Sequence, residues 1–256
     1  MGIVVKVGVG IVLMVSKKKI TISWSGGKDS AFALFKILAS GEYEVVNLHT
    51  VIDKDTKRVG LHGVREALIE QQANCLGIPL VKLYLTASND HEAYASLMKC
   101  FYKVCAMDGI SHIIFGDIFL EDLRLFRESL LVESFLIPGF PLWKIPTTML
   151  LSDFMDADFK TVICSADAAL FSSEQLGVVV DKHFQDALPD GVDPCGERGE
   201  FHTFVFDGPI FKKPVAFERG EIVKRGYAFN KTMEDGSVVK QETSFWFQDL
   251  LPRSVV

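Results

Sequence analysis

The apolar positions of this chain change their period along its length. Short runs rich in aliphatic residues, Ile20–Trp24, Glu44–Ile52, Leu80–Leu85 and His112–Ile118, alternate with longer stretches, Ser30–Ala39, Val64–Leu76, His91–Met107 and Glu121–Leu131, where polar residues interrupt the apolar ones. The first set predicts strands and the second helices. Within Val64–Leu76 the residues Val64, Ala67, Leu68 and Leu76 give a packing stripe, and Gly77-Ile78-Pro79 stops that helix and launches the next strand. The βαβα alternation predicts an α/β fold with a Rossmann-like, doubly wound parallel sheet covered on both faces. Ligands of such a sheet collect beyond the carboxyl ends of its strands, beside the first strand.

Past Pro146 the texture changes. A strand at Thr161–Cys164, a helix at Asp167–Leu176 and strands at Glu221–Phe229, Ser237–Gln241 and Ser244–Phe247 are separated by Asp193-Pro194, Asp207-Gly208-Pro209 and Glu234-Asp235-Gly236 turns. The expected organisation is a nucleotide-binding domain over residues 14–145 and a smaller α+β domain over 146–256 with an antiparallel unit.

Between the first strand and the first helix lies Ser25-Gly26-Gly27-Lys28-Asp29-Ser30. Unpaired N–H groups at a helix start, together with the positive end of the helix dipole, favour an anion there, and the glycines let the backbone approach it. A Walker A loop would need Ser or Thr after the lysine, and Asp29 stands there instead. A carboxylate beside phosphates is repelled unless a divalent cation lies between them, so Asp29 implies Mg²⁺ as well as a nucleotide. Gly116-Asp117, near the end of the fourth strand, belongs at the same sheet edge and is placed to face the same ligand.

Composition narrows the field. With 256 residues and 48% hydrophobic content the chain can bury a large core, and its net charge of −6 without a long basic stretch argues against gripping a polynucleotide. The five cysteines are odd in number and show no C-x-x-C spacing, which disfavours a disulfide framework or zinc site and points to a cytoplasmic protein. Cys75, Cys100 and Cys164 are expected in the core and Cys195 is expected to be structural. The apolar stretch Met1–Val15 is too short to span a bilayer, and Lys17-Lys18-Lys19 lies on the wrong side of it for a secretory signal. Residues 1–13 are read as an extension upstream of a start at Met14.

Gly196-Glu197-Arg198-Gly199-Glu200 sets two carboxylates three residues apart in a glycine-rich loop that can hold a cation, an ammonium or an amine, or form a plain surface turn. His62-Gly63 opens the second helix, to approach the ligand or to cap the helix. Glu121, Arg124, Arg127 and Glu128 lie three or four apart on the fourth helix, as solvated ion pairs do.

The SGGKDS hexapeptide is similar to the pyrophosphate-binding loop of N-type ATP pyrophosphatases. With Leu61-His62-Gly63, Gln72-Ala73, Leu76-Gly77-Ile78-Pro79, Gly116-Asp117-Ile118, Pro141-Leu142-Trp143 and the Cys195–Thr203 segment CGERGEFHT, the chain resembles their diphthine–ammonia ligase (diphthamide synthase) branch. In motif form it is nearest the bacterial members. The resemblance implies a fold of the adenine nucleotide alpha hydrolase type and an ATP- and Mg²⁺-dependent amide ligase. A carboxylate acceptor is adenylated, pyrophosphate leaves into the loop, and ammonia from ammonium attacks the acyl-adenylate. Lys28, Asp29, Glu197 and Glu200 are then the catalytic candidates, with Asp29 also the metal ligand. Ser25 to Ser30, His62, Gly116, Asp117 and Arg124, preferred over Arg127, are the nucleotide-binding ones. Family members commonly carry glutamate in the place of His202, so a hydrogen-bonding role is expected of it rather than a proton shuttle. Amidation of a small carboxylate, as in cobalamin salvage, is the alternative. A tRNA-modifying enzyme and a nucleotide-binding regulatory module are the remaining readings; no nucleic acid or membrane partner is expected.

Overall fold

The computed structural model describes residues 17–86, 91–232 and 238–253. The expected start at Met14 lies outside them. Strand β1 (Lys18–Ser23) feeds through the SGGKDS turn into α1 (Lys28–Ser40), and β2 (Tyr43–Asp53) returns alongside β1 in parallel. The β2 strand then turns into a short hairpin, β3 (Arg58–Val59) and β4 (Val64–Arg65), before α2 (Glu66–Leu76) and β5 (Leu80–Leu85). Next come α3 (His91–Met107), β6 (His112–Ile114), α4 (Glu121–Leu131) and the edge strand β7 (Ile137–Gly139). Parallel pairing of β5 with β2, β2 with β1, β1 with β6 and β6 with β7 places β1 in the middle, so chain order reverses on either side of it.

The sheet is covered on both faces. Ile20, Ile22 and Leu48 pack with α1 and α2 through Phe32, Leu34, Leu68 and Ile69, while Ile113 and Phe115 pack with α3 and α4 through Met98, Tyr102 and Leu130. Trp24, at the end of β1, is buried and its indole N–H donates to Gln72 Oε1 at 2.9 Å, which ties the strand to α2.

A second sheet follows α5 (Thr147–Asp156). Its strands are β8 (Lys160–Asp167), β9 (Phe201–Asp207), β10 (Phe217–Thr232) and β11 (Val238–Pro252), with the five-residue α6 (Lys182–Asp186) between the first two. All pairings in it are antiparallel, in the order β10-β11-β8-β9. Phe201, Phe204 and Val205 of β9 join the same core as α1 and α2, so the two sheets share one apolar interior.

Several expected elements shift. The predicted helix over Asp167–Leu176 is not formed: β8 runs on to Asp167, whose carboxylate accepts the Ala169 N–H at 2.9 Å and turns the chain, leaving one 3₁₀ turn at Ser173–Gln175. Val64 and Arg65 are paired with β3 rather than helical, because the hairpin closes before α2 begins. The fourth strand stops at Ile114 instead of Ile118, and of the residues that follow, Phe115 and Ile118 are buried in the core while Gly116 and Asp117 line a cleft. The two strands expected after Ser237 are one continuous β11 from Val238. Cys100 is exposed, unlike the other four cysteines.

Candidate active site

Gly26 adopts φ +82°, and a Cβ there would meet Gln72 Oε1 at 2.6 Å, so only glycine fits. Its carbonyl accepts from Gln72 Nε2 at 2.9 Å and from Val205 N–H at 2.9 Å, while the same Gln72 nitrogen donates to Val205 O at 2.6 Å. Gly27 is the cap residue of α1, and no side chain of the helix caps it. The Lys28 N–H is instead met by Thr203 Oγ1 of β9 at 2.9 Å, and Ser30 Oγ donates to Gly27 O at 2.9 Å. The second sheet therefore closes directly on the Ser25–Ser30 loop.

Lys28 is buried. Its ammonium pairs with Asp29 at 2.9 Å, donates to Cys195 O and stands 5.3 Å from the Phe201 ring. Burial works against that charge, but Asp29, Cys195 and Glu197 outweigh it and hold the pKa above the usual lysine value. A cation kept charged inside apolar surroundings attracts anions more strongly than one in water.

A cleft of about 220 Å³ is lined by the loop together with His62, Gly116, Asp117, Arg127, Glu197 and His202, of which His62 lies against Gly27 and Gly116 against the Asp29 backbone. Asp117 and Arg127 form a bidentate pair, Nε to Oδ2 at 2.6 Å and Nη2 to Oδ1 at 3.1 Å, with the guanidinium 4.7 Å from the Phe115 ring. Arg124, the preferred arginine of the sequence reading, lies elsewhere: it pairs with Glu128 at 2.8 Å and lies over the adjoining rings of Phe140 and Trp143. His62 precedes α2 by a turn and does not cap it, since Arg65 occupies that place. Its Nδ1 lies 3.2 Å from Thr203 O, and a carbonyl only accepts, so the proton sits on Nδ1 and Nε2 is a bare acceptor. Burial, with Lys28 adding to it against the Thr203 hydrogen bond, pushes this imidazole down to about 4. His202 packs against it at 4.6 Å and is lowered well below the ordinary histidine range by burial, His62 and Lys28. Both rings are neutral at pH 7.

The two glutamates of the glycine-rich loop divide. Glu197 reaches across to the chain after β6, where its Oε1 accepts the N–H groups of Ile118 at 2.8 Å and Phe119 at 3.3 Å. Burial and the neighbouring Asp29 raise its pKa to about 7 despite those bonds and Lys28. Glu200 turns inward instead. Its carboxylate accepts from Asp193 N–H at 3.0 Å and Arg198 N–H at 2.9 Å, and it does not line the cleft. Asp193 completes the clamp, accepting from Cys195 N–H at 2.9 Å, Glu197 N–H at 3.2 Å and Thr147 Oγ1 at 2.8 Å. Cys195 is buried, its thiol pushed up by burial, which fits a structural part.

Among the described residues no three His, Cys, Asp or Glu side chains gather as a metal site. Mg²⁺ is commonly held by one or two carboxylates plus substrate phosphates, and the hard oxygens of Asp29, within the loop, suit that shared mode.

Two family models match this chain in series. The diphthamide synthase N-terminal domain covers residues 18–134, and the diphthamide synthase C-terminal domain covers 146–237. The chain belongs to the diphthamide synthase family. As a family member it is an ATP-dependent ammonia ligase. Among its relatives, the diphthine–ammonia ligase of Danio rerio is 24% identical over 236 residues, 78% of this chain and 86% of that protein. That of Homo sapiens is 25% identical over 236 residues, 78% of this chain and 82% of its own length. Among solved structures, a predicted subunit of tRNA methyltransferase from Methanocaldococcus jannaschii superposes with a TM-score of 0.37 at 18% identity, over 54% of this chain and 74% of that one. The U34-tRNA thiolase NcsA from Methanococcus maripaludis gives 0.36 at 16%, over 57% and 60%. Likenesses so slight decide nothing about this diphthamide synthase family member.

Proposed function

We propose that this enzyme adenylates an acceptor carboxylate with ATP, releases pyrophosphate into the Ser25–Ser30 loop, and hands the acyl group to ammonia. The observation that carries the reading is a single cleft lined by a buried, charged Lys28, the N-terminus of α1 and Glu197. The loop backbone and Lys28 suit a departing pyrophosphate, whose charge grows as the α-phosphorus bond to it breaks. Asp29 is the residue that would hold Mg²⁺, which would supply further neutralisation of the phosphate charge. Carboxylate oxygen attacks the α-phosphorus and pyrophosphate leaves; ammonia then attacks the acyl carbon and AMP leaves. The surplus proton on nitrogen passes to Glu197, whose affinity for a proton near pH 7 matches the task. Asp117 and Arg127 form the far end of the nucleotide's berth. Glu200 acts through the loop that carries Glu197 and touches no reacting atom.

Diphthine, the acceptor in the relatives' name, is the first acceptor to try. The test is chromatography of labelled nucleotide after incubation with ATP, ammonium and a diphthine-bearing protein. AMP and pyrophosphate in equal amounts are expected, with ammonium required. ADP and phosphate as the main products would overturn the reading.

A further inference from the structure

A second cleft, of about 320 Å³, opens between the turn that follows β2 and the β10–β11 hairpin. Its floor is fixed. Phe247 is buried there, and Asp249 accepts from Arg65 at 3.0 and 2.6 Å and pairs with Arg58 at 2.8 Å. Arg58 also donates to Gly63 O at 2.7 Å. Burial works against the Asp249 charge, but the two arginines outweigh it and hold the carboxyl below its usual range, so this cluster is charged and spoken for.

The rim is not. Glu221, Val223 and Arg225 alternate along β10 and face the cleft. Neither Glu221 nor Arg225 has an ion-pair partner among the described residues. The Arg225 guanidinium lies 5.8 Å from the Phe247 ring. A strand rise of roughly 3.3 Å per residue sets the Glu221 and Arg225 backbones about 13 Å apart, with Val223 between them. The lining carries Asp53, Glu221 and Asp249 against Arg58 and Arg225, and the formal charges cancel only once Arg65, which pairs with Asp249 from outside the lining, is counted. Such a cleft has no preference for a net anion or a net cation, but it answers one of each held apart on an apolar spacer.

The cleft adjoins the phosphate site. His62 faces the phosphate side of the Gly60–Gly63 turn, whereas Gly60 and Gly63 line the second cleft. Gly63 has φ +67°, and a Cβ on it would strike the Phe247 ring at 2.6 Å, so glycine there lets the hairpin press against the turn. One turn of chain is the shared wall.

We propose that this second cleft binds a zwitterionic group, its cation at Glu221 and its anion at Arg225, and that this group is the non-reacting body of the acceptor. The acceptor role rests on the ligase reading; the charge selectivity does not. The full chain is titrated calorimetrically with ω-aminooctanoate, and with octanoate and octylamine for comparison, in wild type, Glu221→Lys, Arg225→Glu and the double variant. Saturable binding of ω-aminooctanoate, stronger than that of either singly charged probe, is expected. Each single reversal should weaken it by about tenfold or more, and the double variant, which merely swaps the two ends, should recover it. Equal binding in all four proteins, octylamine binding as tightly as the zwitterion, or no saturable binding at millimolar probe would overturn the proposal. AMP formation is measured apart from these titrations: its absence from wild type would sink the ligase reading and leave the binding result standing.

Discussion

The β1–α1 loop and the loop over residues 193–200 meet at Lys28 but are shaped by different means. Backbone carries the first: Gly26 turns with positive φ, its carbonyl is held by Gln72 and Val205, and the N–H of Lys28 is held by Thr203. Side-chain carboxylates carry the second, since Asp193 and Glu200 between them accept four backbone N–H groups and so present Cys195 O to Lys28 and Glu197 to the cleft. A backbone-shaped loop leaves its side chains for chemistry. A carboxylate-shaped one uses some of its own acids as framework, so two glutamates three residues apart need not share a task.

The comparison breaks first at Lys28. Lys28→Ala removes the charge nearest the departing pyrophosphate and should lower turnover by about 10²–10³-fold, with AMP still the product. Full turnover in this variant, measured as AMP release, would detach the loop from catalysis. Glu197→Gln comes next, with an expected loss of about 10²-fold. Because the Glu197 pKa is raised to about 7, its basic form gains as pH rises through that value, so wild-type turnover should climb there and the variant's should not. Stability runs the other way: a carboxyl raised above its unfolded value stabilises the fold at low pH, and that contribution is lost as pH rises toward 7. Denaturant midpoints of the variant should therefore depend less on pH between about 4.3 and 7 than those of wild type.

The setting of the hexapeptide was legible because its six adjacent residues lie between an apolar run and a helix-like run, and such a strand–turn–helix context itself determines where backbone donors point. The parallel sheet was equally legible from its alternating segments. What escaped was which members of a helix or loop reach the site. Arg124 and Arg127 sit three residues apart on α4, about 60° around the helix from one another, and only the packing of Phe140 and Trp143 against Arg124 decides which turns to the cleft. Thr203 was visible as part of a motif, but its bond to Lys28 spans 175 residues and depends on β9 lying beside the loop. The helix expected over Asp167–Leu176 failed for a similar reason, as pairing of Asp167 with Phe245 of β11 overrides a local alanine-rich preference.

Glu200→Ala sharpens the contrast between framework and chemistry. Two N–H groups lose their acceptor in a buried loop, which should cost about 1–3 kcal/mol of stability by denaturant titration. Any turnover loss should follow from Glu197 losing its place, so a variant as stable as wild type but inactive would return Glu200 to the reacting centre. Thr203→Val is a smaller change of the same kind. It removes the hydroxyl that caps α1, at a cost of about 0.5–2 kcal/mol, yet it also frees the Lys28 N–H for phosphate. Stability without ligand should fall while calorimetric affinity for ATP holds or tightens; weaker ATP binding would make the hydroxyl a nucleotide contact instead.

Arg124→Ala should do least. Its ion pair with Glu128 is an i, i+4 pair of two partly exposed side chains, so its loss, together with the stacking on Phe140 and Trp143, should stay within about 1 kcal/mol. The AMP-forming rate and the ATP affinity should match wild type, because the guanidinium that lines the cleft proposed for the nucleotide belongs to Arg127, held there by Asp117. Arg127→Ala in the same assays provides the contrast, since it strips a buried aspartate of its partner beside the cleft. If Arg124→Ala weakened ATP binding and Arg127→Ala did not, the face of α4 assigned to the site would be the wrong one, and the berth would have to be redrawn toward Phe140 and Trp143.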